Sequence, residues 1–187
     1  QVDINIDIAD KLIIETVFND SVDHVSVNYE IKVPVDLLVG LIQTANGSIT
    51  IENVGGNPEL STSNGSITAI NVNGIVSASS SNGNITVNGA RSLASLTTSN
   101  GNIAAELRTL YDHLEVSTSN GSISMVLAPS LTVDLTARTS NGSITVNNLN
   151  FDVTTLDQSQ MIGTLNGGGY NLSVITSNGS IELAPLR

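Results

Sequence analysis

The sequence predicts an all-β protein, most of which forms a single-stranded β-solenoid, or β-helix, with coils of about 18 residues and an N-terminal β cap. A motif typified by Thr-Ser-Asn-Gly-Ser-Ile recurs seven times, and self-similarity at a fixed period is typical of solenoids. Apolar residues make up 40% of the 187 residues and aromatic residues only 3%. The apolar residues are mostly Ile, Val, Leu and Ala among many Ser, Thr and Asn, which favours β-strands.

The spacing of the motif defines the coil. Its Asn residues lie 18, 18, 18, 20, 21 and 37 positions apart. Because the last gap is close to two periods, we expect one degenerate coil between residues 147 and 175. Weaker turn signals fall about halfway between motifs, at Gly55-Gly56, Asn73-Gly74 and Asn88-Gly89. We expect each Asn-Gly to supply the positive φ of a sharp corner, since Gly lacks a Cβ and Asn tolerates the left-handed region.

Stacked coils place like residues in columns. After each corner the pattern alternates, so that Ile67 and Ala69 face one side while Ser66 and Thr68 face the other. The Ile column is the predicted core: Ile49, Ile67, Ile85, Ile103, Ile123, Ile144 and Ile181. The Asn column is predicted to form a coil-to-coil hydrogen-bonded ladder: Asn46, Asn64, Asn82, Asn100, Asn120, Asn141 and Asn178. A third column holds Thr44, Thr62, Ser80, Thr98, Thr118, Thr139 and Thr176.

A meander of β-hairpins is the competing fold, since Asn-Gly between apolar runs is also a strong hairpin signal. Hairpins would set successive motifs at opposite ends of an antiparallel sheet, with no reason for identical corners. The constant phase of the repeat therefore favours the solenoid.

The N-terminal section differs in composition and is expected to act as a cap, with the solenoid domain at 44–187. Residues 1–43 carry a net charge of -6 out of the chain total of -11. Strict alternation predicts a half-buried strand at residues 2–8, and further strands are expected at 11–18 and 25–33. Open solenoid ends expose unpaired backbone, so caps are expected. Alternatively, Val2, Ile4, Ile6 and Ile8 belong to a strand that pairs with a neighbouring subunit.

Several functional classes are disfavoured by composition. Six Lys and Arg against 17 Asp and Glu exclude a binder that follows nucleic-acid phosphates. No stretch is long and apolar enough for a transmembrane segment, and no leader opens the chain, so we expect a mature chain after signal removal. Without Cys there is no disulfide or thiolate chemistry.

We expect no enzyme activity, no cofactor and no metal site. His24 and His113 each fit a solvated loop residue, and the acids of the repeats fall at different phases. Calcium-binding nonapeptides need an Asp in each loop, where this chain has Asn-Gly-Ser or Asn-Gly-Asn. An N-terminal calcium site stays an alternative. Its candidate ligands are Asp3, Asp7, Asp10, Asp20 and Asp23.

Two sequons are candidates for glycosylation, at Asn19 and Asn171. The sequons within Asn-Gly-Ser corners conflict with a hydrogen-bonded Asn ladder. Outward Ser/Thr-x-Thr pairs such as Ser48 with Thr50 resemble ice-binding arrays, although any soluble solenoid needs a polar outer face.

Together these features resemble the putative-adhesin family of bacterial and archaeal β-strand-repeat proteins. The matching residues are 29–37, with the sequence Tyr-Glu-Ile-Lys-Val-Pro-Val-Asp-Leu, the recurring Thr-Ser-Asn-Gly-Ser-Ile units, and the glycine-rich segment 163–170 before the last motif. The resemblance covers roughly residues 25–187. It implies a β-solenoid on or outside the cell, and no catalytic residues.

The expected function is therefore a non-enzymatic, extracellular, cell-surface structural or adhesin-like role, with surface glycans, proteins or further copies as partners. The alternative is a self-assembling subunit of an extracellular filament or sheath, joined by N-terminal strand pairing between protomers.

Overall fold

The computed structural model describes residues 2–8, 12–18, 27–34 and 36–187. The chain divides into two compact units, residues 1–33 and 34–187. The described residues form 18 strands and contain no helix, so the all-β prediction is confirmed. The prediction that a section ending at residue 43 covers one end of the solenoid stays a prediction.

The first unit contains an antiparallel pair of strands, β1 (Val2–Ile8) and β2 (Leu12–Phe18). Their register sets Ile4 opposite Thr16 and Ile6 opposite Ile14. The strand expected at 25–33 is not found in its described part, because residues 27–33 have no strand conformation. The hydroxyl groups of Thr16 and Tyr29 share a hydrogen bond in this unit.

The second unit consists of two sheets. In one, seven strands are all parallel. In spatial order they are β14 (Ile144–Val146), β18 (Ile181–Pro185), β12 (Ile123–Leu127), β10 (Ile103–Leu107), β8 (Ile85–Asn88), β6 (Ile67–Ile70) and β4 (Ile49–Glu52).

The other sheet has nine strands and is mixed. In spatial order they are β15 (Phe151–Leu156), β16 (Gln160–Leu165), β13 (Val133–Asn141), β17 (Tyr170–Asn178), β11 (Leu114–Asn120), β9 (Ser92–Asn100), β7 (Ile75–Ser80), β5 (Glu59–Thr62) and β3 (Leu41–Thr44).

Each coil adds one strand to each sheet, in the register that the repeat predicts. Ile67 pairs with Ile49 on one side and Ile85 on the other, and Thr62 pairs with Thr44 and Ser80. Parallel pairing with like residues in register confirms the solenoid and rules out the hairpin meander for these coils. The alternate side chains of both sheets point inward and form one apolar core.

The order of the last two coils differs from the order of the chain. Strand β17 lies between β11 and β13, and β18 lies between β12 and β14. The coil of Asn178 is therefore inserted between those of Asn120 and Asn141. The chain reaches this position through the antiparallel hairpin β15–β16, which pairs with β13. The prediction of one degenerate coil between residues 147 and 175 is thus wrong, because the strands β15 and β16 pair antiparallel there instead of forming a further parallel coil.

Candidate functional site

The Asn side chains of the repeat form an uninterrupted row of hydrogen bonds along the stack. Except at Asn46, each Nδ2 donates to the Oδ1 of the neighbouring Asn, at 2.8 Å from Asn64 to Asn46 and 2.9 Å from Asn141 to Asn178. Six such bonds join all seven residues, at 2.8–2.9 Å. The row follows the spatial order of the coils. Its donors all point the same way along the stack, towards the coil of Asn46.

A second row lies beside it, buried. The hydroxyl of Thr98 donates to the Gly83 carbonyl at 3.0 Å, and Thr98 is only 6% exposed. Six Thr or Ser residues of this column each bond a glycine carbonyl of the adjacent coil, at 2.7–3.0 Å. Sequence reasoning identified the column but missed its bonds. The signal was present, since only Thr and Ser occupy the position, and both have a hydroxyl that can satisfy a buried carbonyl.

The glycines of the motif are required by close stacking. A Cβ on Gly101 would lie 2.1 Å from the Gly83 carbonyl oxygen, which no real contact allows. The same clash, at 1.9–2.1 Å, would occur at Gly65, Gly83, Gly121, Gly142 and Gly179. None of these glycines has positive φ, so the sequence interpretation is wrong for the main motif, although it is confirmed for Gly89 of Asn88-Gly89. Positive φ occurs instead at the opposite corner of the early coils, at Asn53, Gly56, Asn71 and Gly89.

The isoleucine column lies in the core beneath these rows. Six of its seven members are at most 5% exposed. Ile144 is only partly buried, because β14 is the edge strand of its sheet and has a neighbour on one side only. Six of the seven motifs begin at a buried Thr or Ser and six end at a buried Ile; the exceptions are Thr44 and Ile144, on the edge strands β3 and β14.

The outer face of the nine-stranded sheet carries hydroxyl groups in register. Ser61, Ser79, Thr97 and Ser117 are paired strand to strand, and Thr97 donates to Ser79 Oγ at 3.3 Å. Adjacent strands lie about 4.8 Å apart, so these hydroxyls repeat at that interval. We call these four residues the hydroxyl column. Ser117 Oγ in turn donates to Glu115 Oε1 at 3.3 Å. The four side chains are uncharged, and their hydroxyls can donate and accept hydrogen bonds.

The family follows from comparison with known sequences. The Toastrack DUF4097 family model matches residues 21–184. The chain belongs to the Toastrack DUF4097 family. This agrees with the adhesin-like β-strand-repeat resemblance deduced from its motifs.

Other comparisons add less. No curated protein matches the chain. One solved structure, a putative cell adhesion protein from Clostridium sporogenes ATCC 15579, is similar to it with a TM-score of 0.48 and 10% identity. The match covers 84% of this chain and 97% of that chain.

The N-terminal strand of this Toastrack chain exposes apolar side chains. Ile4 is 51% and Ile6 62% exposed, although alternation had predicted a half-buried strand. Residues Val2 and Ile8 lie in the same strand. Subunit pairing through this strand stays a prediction.

The two predicted glycosylation sites fare differently. Asn19 lies outside the described residues. Asn171 is exposed on β17 and pairs in register with Asp134. Its side chain thus lies on the outer face, where a glycan would meet solvent, and its modification stays a prediction.

An irregular corner carries the described histidine and a cationic contact. The backbone N–H of His113 donates to Asp112 Oδ1 at 2.7 Å. The Arg91 guanidinium lies 5.6 Å from the centroid of the Tyr111 ring, and its Nε donates to the Tyr111 hydroxyl at 3.3 Å. Hydrogen bonds with Thr109 and then Arg91 lower the pKa of Tyr111. His24, Asp10, Asp20 and Asp23 lie outside the described residues, whereas Asp3 and Asp7 lie on β1. Among the described residues, no three His, Asp or Glu side chains cluster as a metal site would need.

In the described part of the chain, no helix has the length and apolar character to cross a bilayer.

Proposed function

We propose that this chain is a non-enzymatic structural or adhesin-like module of the cell surface. The stacked coils serve as a rigid support, and the outer sheet faces serve as the contact surface. The location outside the cell belongs to the proposal and is supported by the resemblance to adhesin-like repeat proteins.

The observation that carries the proposal is the hydroxyl column. Ser61, Ser79, Thr97 and Ser117 come from four successive coils and are held in register by backbone pairing. A partner with its own repeated hydroxyl or amide groups, such as a polysaccharide, can meet such a surface through many weak hydrogen bonds. Because the scaffold is already ordered, little conformational entropy is lost on contact.

The coils that support the hydroxyl column have their buried polar groups hydrogen-bonded. No buried side-chain nitrogen or oxygen among the described residues lacks a hydrogen-bond partner. The Asn row is proposed to be a ladder that fixes the register of the coils. Stiffness of this kind keeps the contact groups at a constant spacing.

The absence of catalysis is part of the proposal and is supported by the structural roles of nearby acids. Glu106 accepts the Gly89 N–H at 3.1 Å and pairs with Arg108 at 3.2 Å. Asp157 accepts three hydrogen bonds within the turn of its own hairpin. The Glu106 carboxylate thus links two adjacent coils, and the Asp157 carboxylate stabilises the turn of its own hairpin.

The binding part is tested with a matched pair of variants. Thr97→Glu places a charge in the hydroxyl column, and Thr50→Glu places the same charge on the exposed face of the other sheet. Co-sedimentation with insoluble cell-envelope polysaccharide should fall at least tenfold for Thr97→Glu and stay unchanged for Thr50→Glu. Equal binding by both variants and the unmodified chain would remove the column as the contact surface. Immunodetection on intact source cells tests the location separately.

A second candidate function is a subunit of an extracellular filament or sheath. The exposed Ile4 and Ile6 on β1 favour it, since an apolar strand can add to the sheet of another copy. Removal of residues 1–9 should then reduce assemblies to monomers in light scattering, while polysaccharide binding persists. A full chain that stays monomeric at all concentrations would exclude the filament.

A further inference from the structure

The Asn residues at the two ends of the row have fewer hydrogen bonds than those between them, and this difference affects their chemical stability. We propose that Asn46 and Asn141 are the sites of spontaneous deamidation in this column. Hydrogen bonds protect the five Asn residues between them, and the damage spreads along the stack from Asn141 only.

The two ends differ from the interior in hydrogen bonding. Within the column, each interior Asn both donates through Nδ2 and accepts through Oδ1. In the described structure, Asn46 only accepts, from Asn64, and Asn141 only donates, to Asn178. All seven side chains are exposed, so access of water does not distinguish them.

The reaction needs the side chain to leave its place in the row. The backbone nitrogen of the following glycine attacks the Asn Cγ, a C–N bond forms, and ammonia leaves with the proton of that nitrogen. Water then opens the resulting succinimide to Asp or isoAsp, so the sum is Asn plus water giving Asp or isoAsp plus ammonia. Every Asn of the column precedes Gly, the residue that hinders this attack least.

Protection is counted in hydrogen bonds. An interior Asn must break at least two side-chain bonds to turn its Cγ towards the glycine nitrogen, whereas an end Asn must break one. Asn82 and Asn178 each have a further, longer bond, to the carbonyls of Ser63 and Ser119. One net hydrogen bond corresponds to roughly a fivefold change in an equilibrium population. Asn46-Gly47 and Asn141-Gly142 should therefore deamidate about fivefold faster than Asn82-Gly83 or Asn100-Gly101.

The polarity of the row sets the direction of spreading. An Asp carboxylate still accepts hydrogen bonds but has no amide to donate. Conversion of Asn141 removes the donor to Asn178 Oδ1, so that Asn178 keeps only the bonds of its Nδ2, to Asn120 Oδ1 and to the Ser119 carbonyl. Conversion of Asn46 keeps an acceptor for Asn64, so the interior bonds there survive.

Two variants at matched end positions test this. Asn141→Asp should raise the deamidation rate of Asn178 about fivefold, while Asn46→Asp should leave the rate of Asn64 unchanged. The chain is incubated at mildly alkaline pH, and site-resolved peptide mass spectrometry follows each Asn-Gly. Far-ultraviolet circular dichroism of both variants checks that the solenoid persists.

Each result of the deamidation experiment either supports or overturns the proposal. Faster deamidation at the two ends of the unmodified chain, with acceleration at Asn178 alone in the variants, supports the proposal. Equal rates at all seven sites would overturn the protective role of the row. Acceleration of Asn64 in Asn46→Asp to the extent seen for Asn178 would overturn the direction of spreading.

Discussion

The two corners of each coil obey different rules. At the first corner, which contains Asn-Gly, four residues always separate the Thr or Ser of the buried hydroxyl row from the Ile of the core, as in 63–66 and 99–102. At the second corner, which leads from the seven-stranded sheet to the nine-stranded sheet, the connection varies, from 89–91 to 108–113. Extra residues of the 20-residue and 21-residue spacings therefore lie at the second corner.

Hydrogen bonding along the stack explains this difference. At the first corner, an Asn amide bonds the Asn of the adjacent coil, a buried hydroxyl donates to a glycine carbonyl of the adjacent coil, and a glycine packs against that backbone without room for a Cβ. One added residue would displace all three. The second corner also has coil-to-coil bonds, such as that from Asn71 Nδ2 to Asn53 Oδ1 at 3.1 Å, but Gly89 follows at the next position and has no amide side chain to continue this pairing. A longer loop can therefore replace the second corner.

The largest expected effect is that of a two-residue insertion. Gly-Ser inserted between Gly101 and Asn102 separates Asn100 from the core position of Ile103, and should cost more than about 3 kcal/mol in the free energy of unfolding. The same insertion between Tyr111 and Asp112 lengthens a second corner and should cost less than about 1 kcal/mol. Urea denaturation measures both. Equal losses would show that the two corners are equivalent.

Glycine substitutions separate stacking from corner shape. Gly101→Ala places a Cβ 2.1 Å from a carbonyl oxygen and should destabilise by about 3 kcal/mol. Gly47 occupies the same motif position, yet its nearest neighbour would be the flexible Thr44 side chain, at 3.3 Å. Gly47→Ala should therefore change stability by less than about 0.5 kcal/mol. If both variants lose the same amount, corner conformation rather than coil contact explains the glycine.

The glycine case also shows what the sequence could and could not predict. Parallel register was predictable because the same residue recurs at the same phase, as with Ile67 and Ile85. The reason for Gly was not, because a Cβ clash between coils depends on how closely two backbones approach. Sequence supplied the positions and attributed them to positive φ, which occurs elsewhere.

The order of the last coils was equally out of reach. The motifs at Asn141 and Asn178 are nearly identical, so either coil satisfies the Asn, Thr and Ile columns next to Asn120. Long-range pairing decides between them: the hairpin of residues 151–165 turns back on β13 and directs the chain into the interior position. The recurrence of the buried Thr and Ser residues could be read from the sequence. Their hydrogen-bond acceptors could not, since these are backbone carbonyls of glycines in the adjacent coil.

The next effect concerns a single hydrogen bond of the first corner. Thr98→Val keeps the shape of a buried side chain and leaves the Gly83 carbonyl without its donor, for a loss of about 1–3 kcal/mol. Thr50→Val makes the same chemical change on an exposed face, and should fall within about 0.5 kcal/mol of the unmodified chain. Thermal unfolding followed by circular dichroism measures both. A harmless Thr98→Val would mean that water replaces the lost donor.

The smallest effect lies outside both corners, in the turn of the hairpin that redirects the chain. Asp157 Oδ1 accepts the backbone N–H groups of Ser159 and Gln160, both at 2.7 Å, and the Ser159 hydroxyl at 2.9 Å. These bonds, those of Ser159 first, lower the pKa of Asp157 below its usual value. A lowered pKa in the folded state means that the stabilisation is complete above the ordinary Asp value of about 3.9 and is lost as the pH falls through the folded-state value.

Asp157→Asn should therefore remove a small, acid-dependent part of the hairpin's stability and leave the coils unchanged. Amide chemical shifts of Ser159 and Gln160, followed from about pH 5 to about pH 2, should titrate in the unmodified chain and stay flat in the variant. Glu52→Gln removes a different exposed carboxylate and should leave that titration in place. A titration that persists in Asp157→Asn would show that another group is protonated and that Asp157 does not cause the pH dependence of this turn. Strand β16 pairs with β13, and β13 pairs with β17. Weakening of this turn at low pH should therefore change the amide chemical shifts of the inserted coil before those of the coils of Ile67 and Ile85.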